Sequence, residues 1–448
     1  MRIELRQYQK NAASDLAEIL SEKKFALDGS DTGIGKTFTA IGTCLRFNNP
    51  VAVICKARTL TKWKEALAQF GIEPIFLLSW EKARNGKNGF FLPLNSKGRV
   101  SGFNLQLKEP TVVIIDEIHC GGALKSLNAE LVIACKRCPN AYTLGLSATV
   151  ADSPLKMRAI GFCCNLHSLG NDFWNWCRKN GCGKSPFGGL YFRQKDRERV
   201  LKTLHQYLFG KDAKWGIRLR KKELMEEGSF PESEVYVELW DPPNSLPAWA
   251  QASIAEIDQR EQADMEKYDG NPHGGILHMR SRQRTEIQKL PSLIDEIEDR
   301  LAEGESVIVF VQFTRTIQVL AKQLEHIPHA IISGVTANNR VGRDGIEYFQ
   351  RNQIKLIICQ VDAAAEGIDL HDVHGDCPRH VIVFPTYKAI TLIQVLGRAV
   401  RANAKSPVVQ RIVYSSEGIE EKIARTVEKK LENLSMLSDG ELNAGGML

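Results

Sequence analysis

Apolar residues along this 448-residue chain fall into short unbroken runs, separated by stretches in which they recur every three or four positions. Phe25–Leu27, Val51–Cys55, Ile75–Leu78, Thr111–Ile115 and Tyr142–Leu146 are such runs. Runs apolar on both faces predict strands of a parallel sheet covered by helices on either side. Between them, Ala12, Leu16, Ile19 and Leu20 share one helical face, and Phe38–Leu45 continues with the same period. Strand, turn and helix alternate from 25 to 149, which predicts one α/β domain. The pattern resumes with strands over 306–311, 330–332, 355–359, 380–384 and 408–414 and helices over 315–325, 339–350 and 389–400, a second parallel-sheet domain.

The remaining segments read differently. Residues 85–103, rich in Gly, Asn and Lys, predict an exposed loop or hairpin outside the core. Residues 151–222 interleave aromatic and basic side chains (Phe173, Trp174, Trp176, Arg178, Lys179, Tyr191, Arg193) and predict helices packed on the first domain, with part of their basic face on nucleic acid. Val235–Leu239 alternates as a strand, and 241–291 reads as a helical insertion with a charged helix near 248–268, followed by an amphipathic helix over 292–303. Two lobes are therefore expected, 1–225 and 226–448.

Composition changes this picture little. The chain is 43% hydrophobic and 25% charged, ordinary for a soluble globular protein, and its formal charge of +6 is a mild lean toward polyanions. No run approaches a membrane span, Met1-Arg2-Ile3-Glu4 opens without an apolar leader, and the eleven cysteines form no disulfide framework, which together predict a soluble intracellular protein with no membrane partner. Cys135-x-x-Cys138, and Cys163, Cys164, Cys177 and Cys182 with His167, carry only fragments of a zinc pattern and are expected to be small buried apolar residues.

Candidate chemistry begins at Leu27–Thr37, Leu-Asp-Gly-Ser-Asp-Thr-Gly-Ile-Gly-Lys-Thr, between a strand and a helix. Gly33 and Gly35 let the backbone approach phosphate oxygens, with the helix N-terminus facing the anion. Lys36 would reach the β and γ phosphates and Thr37 would place its hydroxyl on Mg²⁺, with Asp31, Thr32 and Ile34 completing the cradle. Asp116 and Glu117 follow the buried run 111–115. A carboxylate there can hold Mg²⁺, and its neighbour can orient and deprotonate the attacking water. Gln9, ahead of the first strand, has an amide able to read an adenine edge, or is a surface residue at a helix start. Lys56, Arg58, Thr59 and Lys62, at the end of the second run, suit contact with a phosphate backbone or form a solvated helix face over Trp63.

Together with Gln312-Phe313-Thr314, Ala363–Leu370, Gln394–Arg401 and Ser147-Ala148-Thr149, these motifs resemble those of the superfamily 2 helicase and translocase ATPases, which have two RecA-like P-loop lobes. The resemblance spans about residues 4 to 425, and Leu60–Trp63, Gln312–Thr314, Glu366–Leu370 and Gly418–Ile423 look most like the Swi/Snf-type translocases of double-stranded DNA. It implies an enzyme that uses ATP and Mg²⁺, with Gln9 at the adenine, Gly33, Gly35, Lys36 and Thr37 at the phosphates and metal, Asp116 at the metal and Glu117 as base. It also implies that Gly367 and Asp369 lie near the ribose and that Arg398 and Arg401 act on the γ-phosphate. Candidate nucleic-acid grips are Lys56, Arg58, Thr59, Lys62, Gln312 and Thr314. The resulting expectation is a monomeric, DNA-stimulated ATPase moving on duplex DNA. An RNA helicase, or a nucleotide-gated clamp that positions other proteins, are the alternatives.

Overall fold

The computed structural model describes residues 4–185, 189–210, 214–228, 230–268, 274–336, 339–365, 367–415 and 418–439. Two compact units emerge, one running to Glu223 and joined by residues from Lys430 on, the other spanning Leu224–Lys429.

Among the described residues, the first unit is built on a six-stranded, all-parallel sheet. Its strands are β1 (Phe25–Asp28), β2 (Val51–Cys55), β3 (Phe76–Ser79), β6 (Thr111–Asp116), β7 (Ala141–Leu146) and β10 (Gly216–Ile217), in the order β10-β1-β7-β6-β2-β3. The unbroken apolar runs have the predicted cause, because successive residues serve opposite faces. Val112 and Ile114 pack with α1 (Gln7–Lys23), α2 (Lys36–Phe47) and α3 (Leu60–Gln69). Val113 and Ile115 pack with α4 (Trp80–Arg84), α5 (Leu127–Arg137), α6 (Arg158–Cys163) and α8 (Arg197–Phe209). Cys135, Cys138, Cys163 and Cys164 are buried in this second layer, and Cys177 and Cys182 in a small cluster around Phe173. No group of three or more His, Cys, Asp or Glu among the described residues could hold a metal.

Two expectations for the first unit are corrected. Residues 85–103 are not outside the core. They lead into a hairpin, β4 (Phe91–Ser96) and β5 (Arg99–Leu105), whose Phe91, Phe103 and Leu105 are buried in the layer containing α5. Each such burial contributes roughly 1.5–3 kcal/mol, enough to hold the base of the hairpin while Lys97 and Gly98 make its exposed turn. Residues 151–222 are not only helical. With α7 (Asn171–Lys179) and α8 they contain an antiparallel pair, β8 (Cys182–Lys184) and β9 (Leu190–Phe192), and β10, which extends the main sheet beside β1.

The second unit repeats the design with β11 (Ser233–Leu239), β12 (Ser306–Val311), β13 (His329–Ile332), β14 (Leu356–Gln360), β15 (Arg379–Val383) and β16 (Val408–Tyr414). These form a parallel sheet in the order β11-β16-β15-β12-β14-β13. Around it, in chain order after α9 (Lys221–Glu226), come α10 (Ala248–Lys267), α11 (Gly274–Ala302), α12 (Thr314–Gln323), α13 (Arg340–Gln350), α14 (Val361–Ala364), α15 (Ala389–Leu396) and α16 (Ile419–Asp439). The expected break near 291 does not occur: α11 runs through Pro291 as one helix, and Ile287, Leu290, Leu293 and Ile297 pack it onto β12 and α12. The apolar stripe continues across the proline and outweighs the hydrogen bond lost there. No helix among the described residues is long and apolar enough to cross a membrane.

Candidate functional site

The phosphate loop lies between β1 and α2. Gly33 and Gly35 have φ of 88° and 92°, left-handed values that glycine adopts without strain. A Cβ on Gly35 would stand 2.4 Å from Nε2 of Gln9. The loop is tied on two sides. On one, Tyr8 Oη and Gln9 Nε2 donate to the Ile34 carbonyl at 2.9 and 3.2 Å, and Gln9 Oε1 accepts the Arg6 N–H at 3.0 Å. On the other, Arg218 pairs with Asp31 at 2.7 Å and donates to the Gly29 carbonyl. Leu219 N–H donates to Ser30 Oγ at 3.1 Å and Lys221 N–H to Asp31 Oδ2 at 2.8 Å. Burial alone would raise the Asp31 pKa, but Arg218 and the Lys221 N–H outweigh it and the carboxyl sits below its ordinary value.

Lys36 Nζ donates to the Ser30 and Asp31 carbonyls at 2.8 and 2.9 Å. Burial holds its pKa below the ordinary value, against the pull of Asp28, Glu117 and Asp31. Thr32 and Thr37 are half-buried, Thr37 in the first turn of α2. A desolvated ammonium facing a glycine cradle at a helix N-terminus is suited to a polyphosphate.

Asp116 ends β6, and its Oδ2 accepts the Trp63 indole N–H at 3.0 Å. Trp80 Nε1 donates to the Asp116 carbonyl at 3.3 Å. Burial first and the Glu117 charge second push the Asp116 carboxyl up to about 6, with Trp63, Lys36 and Lys56 opposing. Glu117 has φ 54°, a left-handed backbone, and its Oε2 lies 3.1 Å from His119 Nδ1. The same Nδ1 is 2.9 Å from Ser147 Oγ, which donates to the Thr149 carbonyl at 2.9 Å. Burial would raise Glu117, but the His119 hydrogen bond and charge, with Lys56 and Lys36, bring it down to about 2. Adjacent carboxylates are thus driven apart, one ionised and one short of positive charge. The Asp116 carboxylate and Thr37 hydroxyl are hard oxygen donors of the kind Mg²⁺ takes, and the raised Asp116 pKa marks a buried charge that a divalent cation would satisfy.

At the end of β2, Lys56 leads a short helical turn in which Thr59 Oγ1 donates to the Lys56 carbonyl at 2.9 Å. Trp63 is buried beneath, Lys62 is exposed, and Arg58 and Thr59 are half-buried. In the second unit, Gln312 follows β12 and Thr314 opens α12. Gly367 has φ 77°, and Glu366 lies outside the described residues. Asp369 pairs with Arg401 at 2.6 Å, and Arg398 Nη1 donates to the Ile368 carbonyl at 3.1 Å. Arg398 is 8% exposed and its Nε donates to the Gln394 carbonyl. The segments 367–370 and 394–401, distant in sequence, are therefore one hydrogen-bonded assembly.

Comparison with known proteins gives the family. Residues 2–152 match the family model of the type III restriction enzyme, res subunit, and residues 287–403 match that of the helicase conserved C-terminal domain. The chain belongs to the superfamily 2 helicases and translocases. A protein of Acanthamoeba polyphaga mimivirus named Putative ATP-dependent RNA helicase L364 is 29% identical to this helicase over 457 residues, covering 97% of this chain and 84% of its own. Among solved structures, the Sulfolobus solfataricus SWI2/SNF2 ATPase core in complex with dsDNA is 16% identical with a TM-score of 0.38, covering 98% of this chain and 94% of that one. This helicase is an ATP-hydrolysing motor built on two parallel-sheet units.

Several residues of this helicase's site carry no sequence signal of their own. Arg218, Leu219 and Lys221 brace the phosphate loop from a stretch that reads as helical, and only the pairing of β10 with β1 brings them there. His119 follows Glu117 two positions on in the chain, but its link from Glu117 to Ser147 depends on β6 and β7 being neighbours.

Proposed function

We propose that the chain is a DNA-stimulated ATPase that translocates on duplex DNA, with Lys36 and Thr37 at the phosphates, Asp116 at Mg²⁺ and Glu117 as the base. The observation that carries the chemistry is the split pair of carboxylates beside Lys36: Glu117 stays ionised and oriented by His119, so it can orient the attacking water and take its proton as the bond to phosphorus forms. Mg²⁺, when bound by Thr37 and Asp116, would neutralise phosphate charge. Ser147, bonded to His119 and donating to the Thr149 carbonyl, connects the base to the end of β7, so the nucleotide state can be passed along the sheet. Gln9 holds the loop backbone in this structure and has amide capacity left for an adenine edge. Gly367 and Asp369 take the ribose side, and Arg398 and Arg401 supply positive charge to the reacting phosphate during turnover. Lys56, Arg58, Thr59, Lys62, Gln312 and Thr314 hold the polymer.

Duplex DNA is favoured as the polymer by the resemblance of the Leu60–Trp63, Gln312–Thr314 and Gly418–Ile423 segments to Swi/Snf-type translocases. RNA is the second reading, favoured by the printed name of the mimivirus relative. Phosphate release measured with duplex DNA, single-stranded DNA and RNA side by side tests the choice. Strongest stimulation by duplex DNA is expected, and strongest stimulation by RNA would replace it with the second reading. Lys36→Ala and Glu117→Gln are expected to abolish turnover with any polymer while the chain remains folded.

A further inference from the structure

A cleft of about 360 Å³ in the second unit opens where β12 and its parallel neighbour β14 end, at Gln312 and Gln360. From β12 the chain builds β13 and β14 on one side and then β15 and β16 on the other. The cleft therefore lies where the strand order reverses, the place at which open α/β sheets take ligands. Its walls include Arg260 from α10, Gln283 from α11, Thr314 and Arg315 from α12, and the two strand-end glutamines. No carboxylate lines it.

The donors there are in excess. Gln312 Nε2 is buried without an acceptor. Three arginines of the surrounding helices are paired with carboxylates, Arg280 with Asp264 at 2.8 Å, Arg284 with Asp258 at 2.5 Å and Arg315 with Glu256 at 2.5 Å, while Arg282 donates to the Pro385 carbonyl and lies over the Phe313 and Tyr387 rings. Arg260 makes no ion pair or hydrogen bond among the described residues. The floor is fixed from within, because buried Glu286 accepts the Gln312 N–H at 2.9 Å and the Thr316 hydroxyl at 2.6 Å. An unpaired guanidinium, unspent amide hydrogens and a hydroxyl converging on one cavity fit an anion with several oxygens. Glu256 competes for Arg315 and leaves Arg260 as the main uncommitted charge.

We propose that this cleft binds a backbone phosphate of the nucleic acid and that Arg260, contributed by the helical insertion, is one of its contact residues. The inference rests on the reading of Gln312 and Thr314 as polymer contacts and extends that grip to α10. A phosphate contact adds affinity without regard to base sequence and contributes to the salt dependence of binding.

The test is the affinity of the full chain for labelled duplex DNA, single-stranded DNA and RNA, measured over about 50 to 200 mM salt. Arg260→Ala is expected to make the slope of log affinity against log salt shallower by about 0.9 on duplex DNA, or about 0.7 on a single strand. Arg260→Lys is expected to keep the parent slope. An Arg260→Ala slope equal to the parent's would overturn the proposal, as would a loss of ATP affinity with polymer binding unchanged, which would make the cleft a nucleotide site. Failure of the parent chain to bind any of the three polymers would instead overturn the reading of Gln312 and Thr314 on which this rests.

Discussion

His119 donates to Glu117, the proposed base two residues before it in the chain, and lowers its pKa strongly. Without the histidine, burial would be opposed only by Lys56 and Lys36, and the Glu117 carboxyl would rise from about 2. The sign follows: a base with a depressed pKa is fully ionised above pH 5, whereas a base with a raised pKa is lost as pH falls. His119→Ala is expected to lower turnover about tenfold or more and to move the acid limb of the kcat–pH profile to higher pH. An acid limb at the parent position would remove His119 from the relay. The carboxylates themselves were legible in the sequence because a buried β-branched run ending in Asp-Glu is locally distinctive. The histidine's role was not, since it depends on which strand lies next to β6.

At the scale of elements, the second unit is held by a buried ionic junction between α11 and the start of α16. Lys289 Nζ contacts both oxygens of Glu420 at 2.9 and 2.7 Å, donates to the Val413 carbonyl and lies 4.1 Å from the centre of the Phe384 ring. Glu420 also accepts the Ser415 N–H at 2.7 Å. Lys289→Met would leave Glu420 buried without its cation, a loss of about 3–5 kcal/mol. Denaturant unfolding should register it in the transition of the second unit, and a loss below about 1 kcal/mol would show that the junction is not a stabilising tie. Nothing in the spacing of 241–302 predicted this. The apolar stripe of α11 marked a helix, but a lysine on its buried face finds its carboxylate 131 positions away. The hairpin β4–β5 makes the same point, because Gly and Asn mark its turns while its burial depends on Phe91 and Phe103 meeting α5.

For the whole molecule, the residues proposed for hydrolysis come from both units: Lys36, Asp116 and Glu117 from the first, Arg398 and Arg401 from the second. Arg401 is held by Asp369 at 2.6 Å, and its Nε is buried without an acceptor. If its charge is used on the reacting phosphate, Arg401→Ala should leave ATP affinity near the parent value and lower turnover by about 10³-fold or more, with nucleotide binding and phosphate release measured separately. A normal rate would remove the arginine from the reaction. By itself, the sequence determined the two parallel sheets, the phosphate loop and the carboxylate pair. Each of these is written within one strand–turn–helix unit, where apolar runs, glycines and a few charged residues act over neighbouring positions. Only the tertiary structure decided what braces and tunes them: Arg218 behind the loop, His119 on the base, Asp369 on Arg401 and Arg260 at the cleft. Strand order and helix packing set those contacts, because they choose which distant residues share a dry, low-dielectric space where one hydrogen bond or charge counts for much more than in water.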